Sequence, residues 1–269
     1  MKKALLMPRG VFTSTRQQPK QRGVALFVVI VFVMLTMLLA LWSSRTALFG
    51  EMMVGNDADY QRAFEAAQTL VQDAELDIRN ENADGSTCSG TGDVCRQSTA
   101  DQIPLEAPAV GKLLAELDNT PYKCRNGLCT KRLREQDFWN NTDGTRGFTL
   151  AQMTSTPSGS PPVGARYGRY TGAKLGTSSS PANPILADQS APDKGGWYWI
   201  EVLPYDESSK NSGLIVAEDD KGNPVLANNY LSLNLLPNVV YRITALAYGR
   251  KPSTKVVLQQ TYARQKLKD

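Results

Sequence analysis

The sequence predicts an α+β protein. A long N-terminal α-helix, transmembrane and then amphipathic, packs on a C-terminal antiparallel β-sheet, and the middle is loop-rich and disulfide-bonded. Three observations predict this. Nineteen residues from Val24 to Trp42 are apolar except for Thr36. Helical periodicity then continues without a proline to about Asn80. After Gly196 the chain turns to aromatic and β-branched runs of strand length.

The first element is a basic leader, residues 1–23. It holds Lys2, Lys3, Arg9, Arg16, Lys20 and Arg22 and no acid. The chain's net charge of +4 is therefore the leader's; the remainder has 24 basic against 26 acidic residues, or −2. The surplus gives no reason to expect nucleic-acid binding. The apolar run that follows reaches roughly 28 Å as a helix, about the hydrocarbon thickness of a bilayer. The positive-inside rule keeps the leader cytoplasmic and sends the rest outward. A cleaved secretory signal fits poorly, because Leu41 and Trp42 stand where small residues are wanted. The membrane part thus ends at about residue 42 within a helix spanning 24–80.

In the second half of that helix Tyr60, Phe64, Ala67, Val71, Ala74 and Ile78 recur at helical spacing. Asp59, Arg62, Glu65, Gln72, Asp73 and Glu75 fill the remaining positions, so the apolar stripe is expected to pack on the sheet and the acids to face water. Gly50, Gly55 and Asn56 weaken the middle, where Asn56 or Asp57 can recap a second half.

Residues 81–269 are expected to form the exported globular domain. All four cysteines lie there, as suits disulfides in an oxidising compartment. Asn126-Gly127 is a two-residue hairpin signal that places Cys124 opposite Cys129, within bridging distance. Cys124–Cys129 is the preferred bridge and leaves Cys88–Cys95, although four cysteines allow three pairings. A four-cysteine zinc site is disfavoured because neither pair has CxxC spacing. Asp143-Gly144 is a second hairpin cue. Residues 154–196 are rich in Gly, Pro, Ser and Thr and read as extended loop. Within them Arg166, Tyr167, Arg169 and Tyr170 suit a partner surface or nucleic acid less well than tyrosines packed on their own domain. Glu218, Asp219, Asp220 and Asn223 lack the spacing of a calcium loop and read as a turn. In "WYWIEVLPY" Trp197, Trp199, Glu201 and Leu203 share a face, and residues 239–262 read as a hairpin closed around Pro252.

The absence of histidine removes His-based triads, His metal ligands and imidazole acid–base chemistry. No glycine-rich nucleotide loop or nucleophile elbow is present, so no enzyme, cofactor or metal is expected.

A basic leader ending in Gly23, the apolar run and the long helix resemble a type IV prepilin. "EMMVGNDADYQRAFEAAQTLVQDAE", residues 51–75, is similar to the signature of PilX-type minor pilins, with Met53 followed by Val54, Gly55 and Asn56. "YRITALAYGRKPSTKVVLQQTYAR", residues 241–264, resembles that family's closing hairpin. The resemblance implies a type IV pilin-like fold. It also implies a prepilin-peptidase cut between Gly23 and Val24, methylation of the new amine, and a helix retained as anchor and then filament core through Val28, Phe32, Leu35 and Leu39. Major pilins carry a glutamate at the fifth position after the cut, where this chain has Val28. That suits a tip or initiating subunit with no neighbour above it. The implied location is the bacterial inner membrane, single-pass with a periplasmic C-terminal domain, then the pilus. The implied partners are major and other minor pilins, the peptidase, the inner-membrane assembly platform and a tip adhesin. A minor pseudopilin of a type II secretion system shares these features. An uncleaved membrane-anchored binding module or enzyme is the alternative of a different class.

Overall fold

The computed structural model describes residues 22–88, 94–96, 102–104, 107–132, 137–177, 179–204, 216–218, 224–226 and 239–264. The chain divides into two compact units, Met1–Val54 and Gly55–Asp269.

Helix α1 runs from Arg22 to Arg79 without interruption. Gly50, Gly55 and Asn56 do not break it, and no recapping occurs at Asn56 or Asp57. An isolated glycine costs only about 1 kcal/mol relative to alanine in a helix interior, which good neighbours absorb. Thr36 and Thr46 donate their hydroxyls to the carbonyls of Val33 and Trp42, at 2.9 and 3.0 Å. The hydroxyl of Thr36 is thereby satisfied within the apolar segment and that of Thr46 just beyond it. The helix stops at Asn80, whose φ of 57° turns the chain left-handed. Asn80 N donates to Asp77 O and Glu81 N to Leu76 O, the paired bonds of a Schellman cap.

The larger unit holds the rest. Helix α2 (Ala107–Asp118) follows, then a 3₁₀ turn at Pro121–Lys123, and strands β1 (Cys124–Arg125) and β2 (Leu128–Cys129). After a short helix α3 (Leu150–Met153) come β3 (Ala165–Arg166), β4 (Gly196–Pro204), β5 (Val216–Glu218) and β6 (Pro224–Leu226). Strands β7 (Val239–Tyr248) and β8 (Lys255–Tyr262) close the chain. The main sheet has the order β1-β2-β4-β7-β8, with β3 also on β4; β5 and β6 pair separately.

The C-terminal strands pair antiparallel as expected, β4 with β7 and β7 with β8, and the β1–β2 hairpin that joins them makes the whole sheet mixed. Strand β2 runs parallel to β4, Leu128 opposite Ile200 and Cys129 opposite Glu201. The hairpin β1–β2 docks on β4 as a unit, so its second strand takes whichever direction the dock imposes. A correction concerns Asp143-Gly144, which forms no hairpin. Asp143 instead accepts from Thr145 N at 3.0 Å and caps a 3₁₀ turn, Gly144–Arg146.

Both faces of β4 are covered. Tyr198, Ile200 and Val202 face the core made with Ala63, Ala66, Leu70 and Ala74 of α1 and Val110, Leu113 and Leu117 of α2. Trp197 and Trp199 face a second core with Phe138, Met153 and Val163 from the loop-rich layer. Alternation along the strand thus separates two cores. The helix sits close to the sheet at Gly196, where any β-carbon would collide with Leu70 and Leu186. Glu201, fully buried on the Trp face, accepts from Arg132 at 3.0 Å and from its cross-strand neighbour Arg242 at 2.6 Å.

Candidate assembly site

The first part of the site is the surface that α1 leaves bare within the smaller unit. From Val24 to Val54 its large apolar side chains are exposed: Val28 43 %, Leu35 50 %, and Phe32 and Leu39 still more. A contiguous apolar surface of this kind marks a segment whose partner is a membrane or another protein. Among the described residues it is also the one helix long and apolar enough to cross a bilayer. It has the length and composition of a single-pass anchor. The backbone of Gly23 and Val24 is helical and continuous with it.

The second part is the stretch of α1 inside the larger unit, which carries the head. Ala67, Val71, Ala74 and Ile78 are buried against the sheet and Phe64 is half-buried. Tyr60, expected in the same stripe, is instead 49 % exposed. The buried stripe is centred on Ala63, Ala66 and Leu70, one residue earlier in phase than expected. Small alanines let the backbone approach the sheet, and the bulky Tyr60 is left on the flank.

Three aspartates of α1, expected at least in part to face water, are buried with it: Asp59, Asp73 and Asp77. Each holds a segment distant in sequence. Asp59 accepts from Arg250 N at 2.8 Å and Lys251 N at 3.0 Å, clasping the β7–β8 turn. Burial works against its ionisation, but hydrogen bonds from Thr254 and that turn prevail and lower its pKa. Asp73 accepts from Gly168 N at 2.8 Å and from the Thr171 hydroxyl. Burial, with the nearby charge of Asp77, outweighs those bonds and lifts the Asp73 carboxyl to about 6. Asp77 receives both Nε and Nη2 of Arg96 at 2.6 Å and the Tyr198 hydroxyl at 2.9 Å. Arg96 is itself buried and stacks 3.7 Å above the Tyr170 ring. Burial would discharge its guanidinium, yet Asp77 keeps its pKa above the usual value. Asp77 on one side and the Tyr170 ring on the other hold the Arg96 charge in a dry setting, while its Nη1 is left without a hydrogen bond.

The Arg–Tyr stretch belongs to this same head. Tyr167 and Tyr170 pack on the core, and Arg166 lies 3.6 Å above the Trp197 ring while donating to Ala191 O at 2.7 Å. The two disulfides pair Cys124 with Cys129 and Cys88 with Cys95, with Cα separations of 4.1 and 6.3 Å. Asn126 (φ 53°) and Gly127 (φ 80°) make the left-handed turn that brings Cys124 opposite Cys129. Among the described residues no cluster of acids or cysteines is arranged to hold a metal. The calcium reading spans Glu218–Asn223, of which Glu218 ends β5 and residues 219–223 lie outside the described residues.

The comparisons with known families decide what these two parts belong to. The PilX N-terminal model matches residues 22–71, which contain the bare apolar helix and the clasp at Asp59. The model of the type IV pilus assembly protein PilX C-terminal region matches residues 125–264, which hold the main sheet apart from Cys124. The chain belongs to the PilX family. This PilX-family protein is therefore a type IV pilus assembly pilin, a structural class that works by contact with other pilus components. No curated protein and no solved structure matches it.

Proposed function

We propose that this pilin is a minor subunit that initiates or caps a type IV pilus at or near its tip. The observation that carries the reading is the exposed apolar helix with valine, rather than a carboxylate, at position 28. A carboxylate at that depth costs roughly 2.5–3.5 kcal/mol on insertion scales unless it is neutralised. In the family it is neutralised by the amine of the neighbouring subunit. A subunit that needs no such neighbour can sit first. Prepilin peptidase removes residues 1–23, the new amine at Val24 is methylated, and Phe32, Leu35 and Leu39 lie in the membrane and then in the filament core. The reaction is performed on the protein, which itself supplies association chemistry and no catalysis.

Intact mass and N-terminal sequencing of membrane-extracted protein test this. The expected start is Val24, and Gly23→Ala should leave the leader on and abolish piliation. A mature chain that still begins near residue 1 would overturn the reading in favour of an ordinary anchored protein.

A further inference from the structure

We propose that the head carries a pocket for a small organic anion, a carboxylate or phosphate group on a short apolar body. The cavity holds about 680 Å³, within the range of small-molecule sites. It lies among the last turns of α1, helix α2, residues 102–104 and the end of β8. Among the described residues its walls bring together Arg79, Arg96, Lys112 and Arg264 against Asp77 and Glu116.

The two acids are already engaged. Asp77 is taken by Arg96, and Glu116 lies 3.4 Å from Arg125. Arg79 is paired with Glu81, but Lys112 and Arg264 carry no ion pair among the described residues. Among the described residues positive charge therefore remains over after these pairings, in a concave site whose low-dielectric walls concentrate it.

A second observation points the same way. Arg96, its side chain 2 % exposed, spends Nε and Nη2 on Asp77 and Asn126, and its Nη1 is buried with no hydrogen-bond partner. An orphaned buried donor typically costs about 1–3 kcal/mol, and the guanidinium that carries it belongs to a residue of the cavity wall. The first turn of α2 contributes Ala109 to the wall. Ile103, Pro104 and Leu113 supply apolar wall for the body of the ligand. The site is independent of the assembly role, since every residue in it lies in the head.

The test is saturation-transfer NMR on the detergent-solubilised full chain with phenylacetate and with phenyl phosphate, using phenethylammonium as the cationic control. Both anions, or one of them, should receive saturation and the cation should not. Whichever anion binds more tightly identifies the headgroup. The double variant Lys112→Gln/Arg264→Gln should weaken binding at least tenfold. The single variant Lys112→Gln, at an exposed position without an ion pair, should give an intermediate loss with an unchanged melting temperature. Absence of transfer to both anions, equal transfer to the cation, or affinities unchanged in both variants would overturn the proposal. No filament is needed for the readout, so its failure leaves the minor-pilin reading standing.

Discussion

Asp73 is a carboxylate placed where its charge is unwelcome. It has two hydrogen-bond donors but no cation of its own, and its pKa rises from 3.8 to about 6. Between about pH 4 and pH 6 the folded chain therefore holds a proton that the unfolded chain has released. Unfolding free energy should fall as pH rises across that window, by up to about 3 kcal/mol, and then level off. Glu201 acts in the opposite sense. Burial works against its charge, but Arg242 and Arg132 prevail and lower its pKa below the usual 4.5, so its contribution is lost only as pH drops further. Urea unfolding at pH 4.5 and 7 should show the head more stable at the lower value. Asp73→Asn, whose amide can still bond Thr171, should remove that difference. A pH dependence unchanged by this substitution would locate its origin elsewhere. Sequence alone could not show any of this, because Gly168 and Thr171 are 95 and 98 residues away from the helix position they meet. An aspartate on a helix reads as solvated until its distant partner is known.

Elements whose signal is local were the legible ones. The long helix, the β7–β8 hairpin and the Cys124–Cys129 register each follow from periodicity or from a two-residue turn, and the structure contains them. Helix α2 went unread although Val110, Leu113 and Leu117 recur at helical spacing. Pro108 and Gly111 in so short a segment conceal the pattern. The parallel pairing of β2 with β4 and the outward placement of Tyr60 depend on how elements dock, which no single element records. The hairpin's bridge lies in the second core beside Phe138 and Trp199, so it constrains more than a turn. Cys124→Ser should lower the head's unfolding free energy by roughly 2–5 kcal/mol. Calorimetry that finds the melting temperature unchanged would argue that the hairpin holds its position without the bond.

For the molecule as a whole, the division at Val54–Gly55 separates two kinds of surface. Every residue of both hydrophobic cores lies in the larger unit, and the large apolar side chains of the smaller one are bare. A chain beginning at Gly55 should therefore fold, stay in solution without detergent, and melt cooperatively within a few degrees of the full chain. Aggregation of that fragment under oxidising conditions would mean the apolar helix contributes to the head's stability. In the intact chain, Val28→Glu should leave expression and folding unchanged while reducing the number of pili per cell. Wild-type pilus numbers in that strain would remove the argument for a tip position. Both experiments address the bare helix, one by deleting it and one by charging it.

The spacing of the cysteines has a consequence for biogenesis. Each bridge joins neighbours in sequence, five and seven positions apart, with no cysteine between the members of either pair. A head exported in sequence order from the end of the apolar helix meets an oxidant as Cys88, Cys95, Cys124 and then Cys129. If each thiol is captured by the next one to emerge, vectorial oxidation closes the native pairs in order, and no isomerase is needed to correct them.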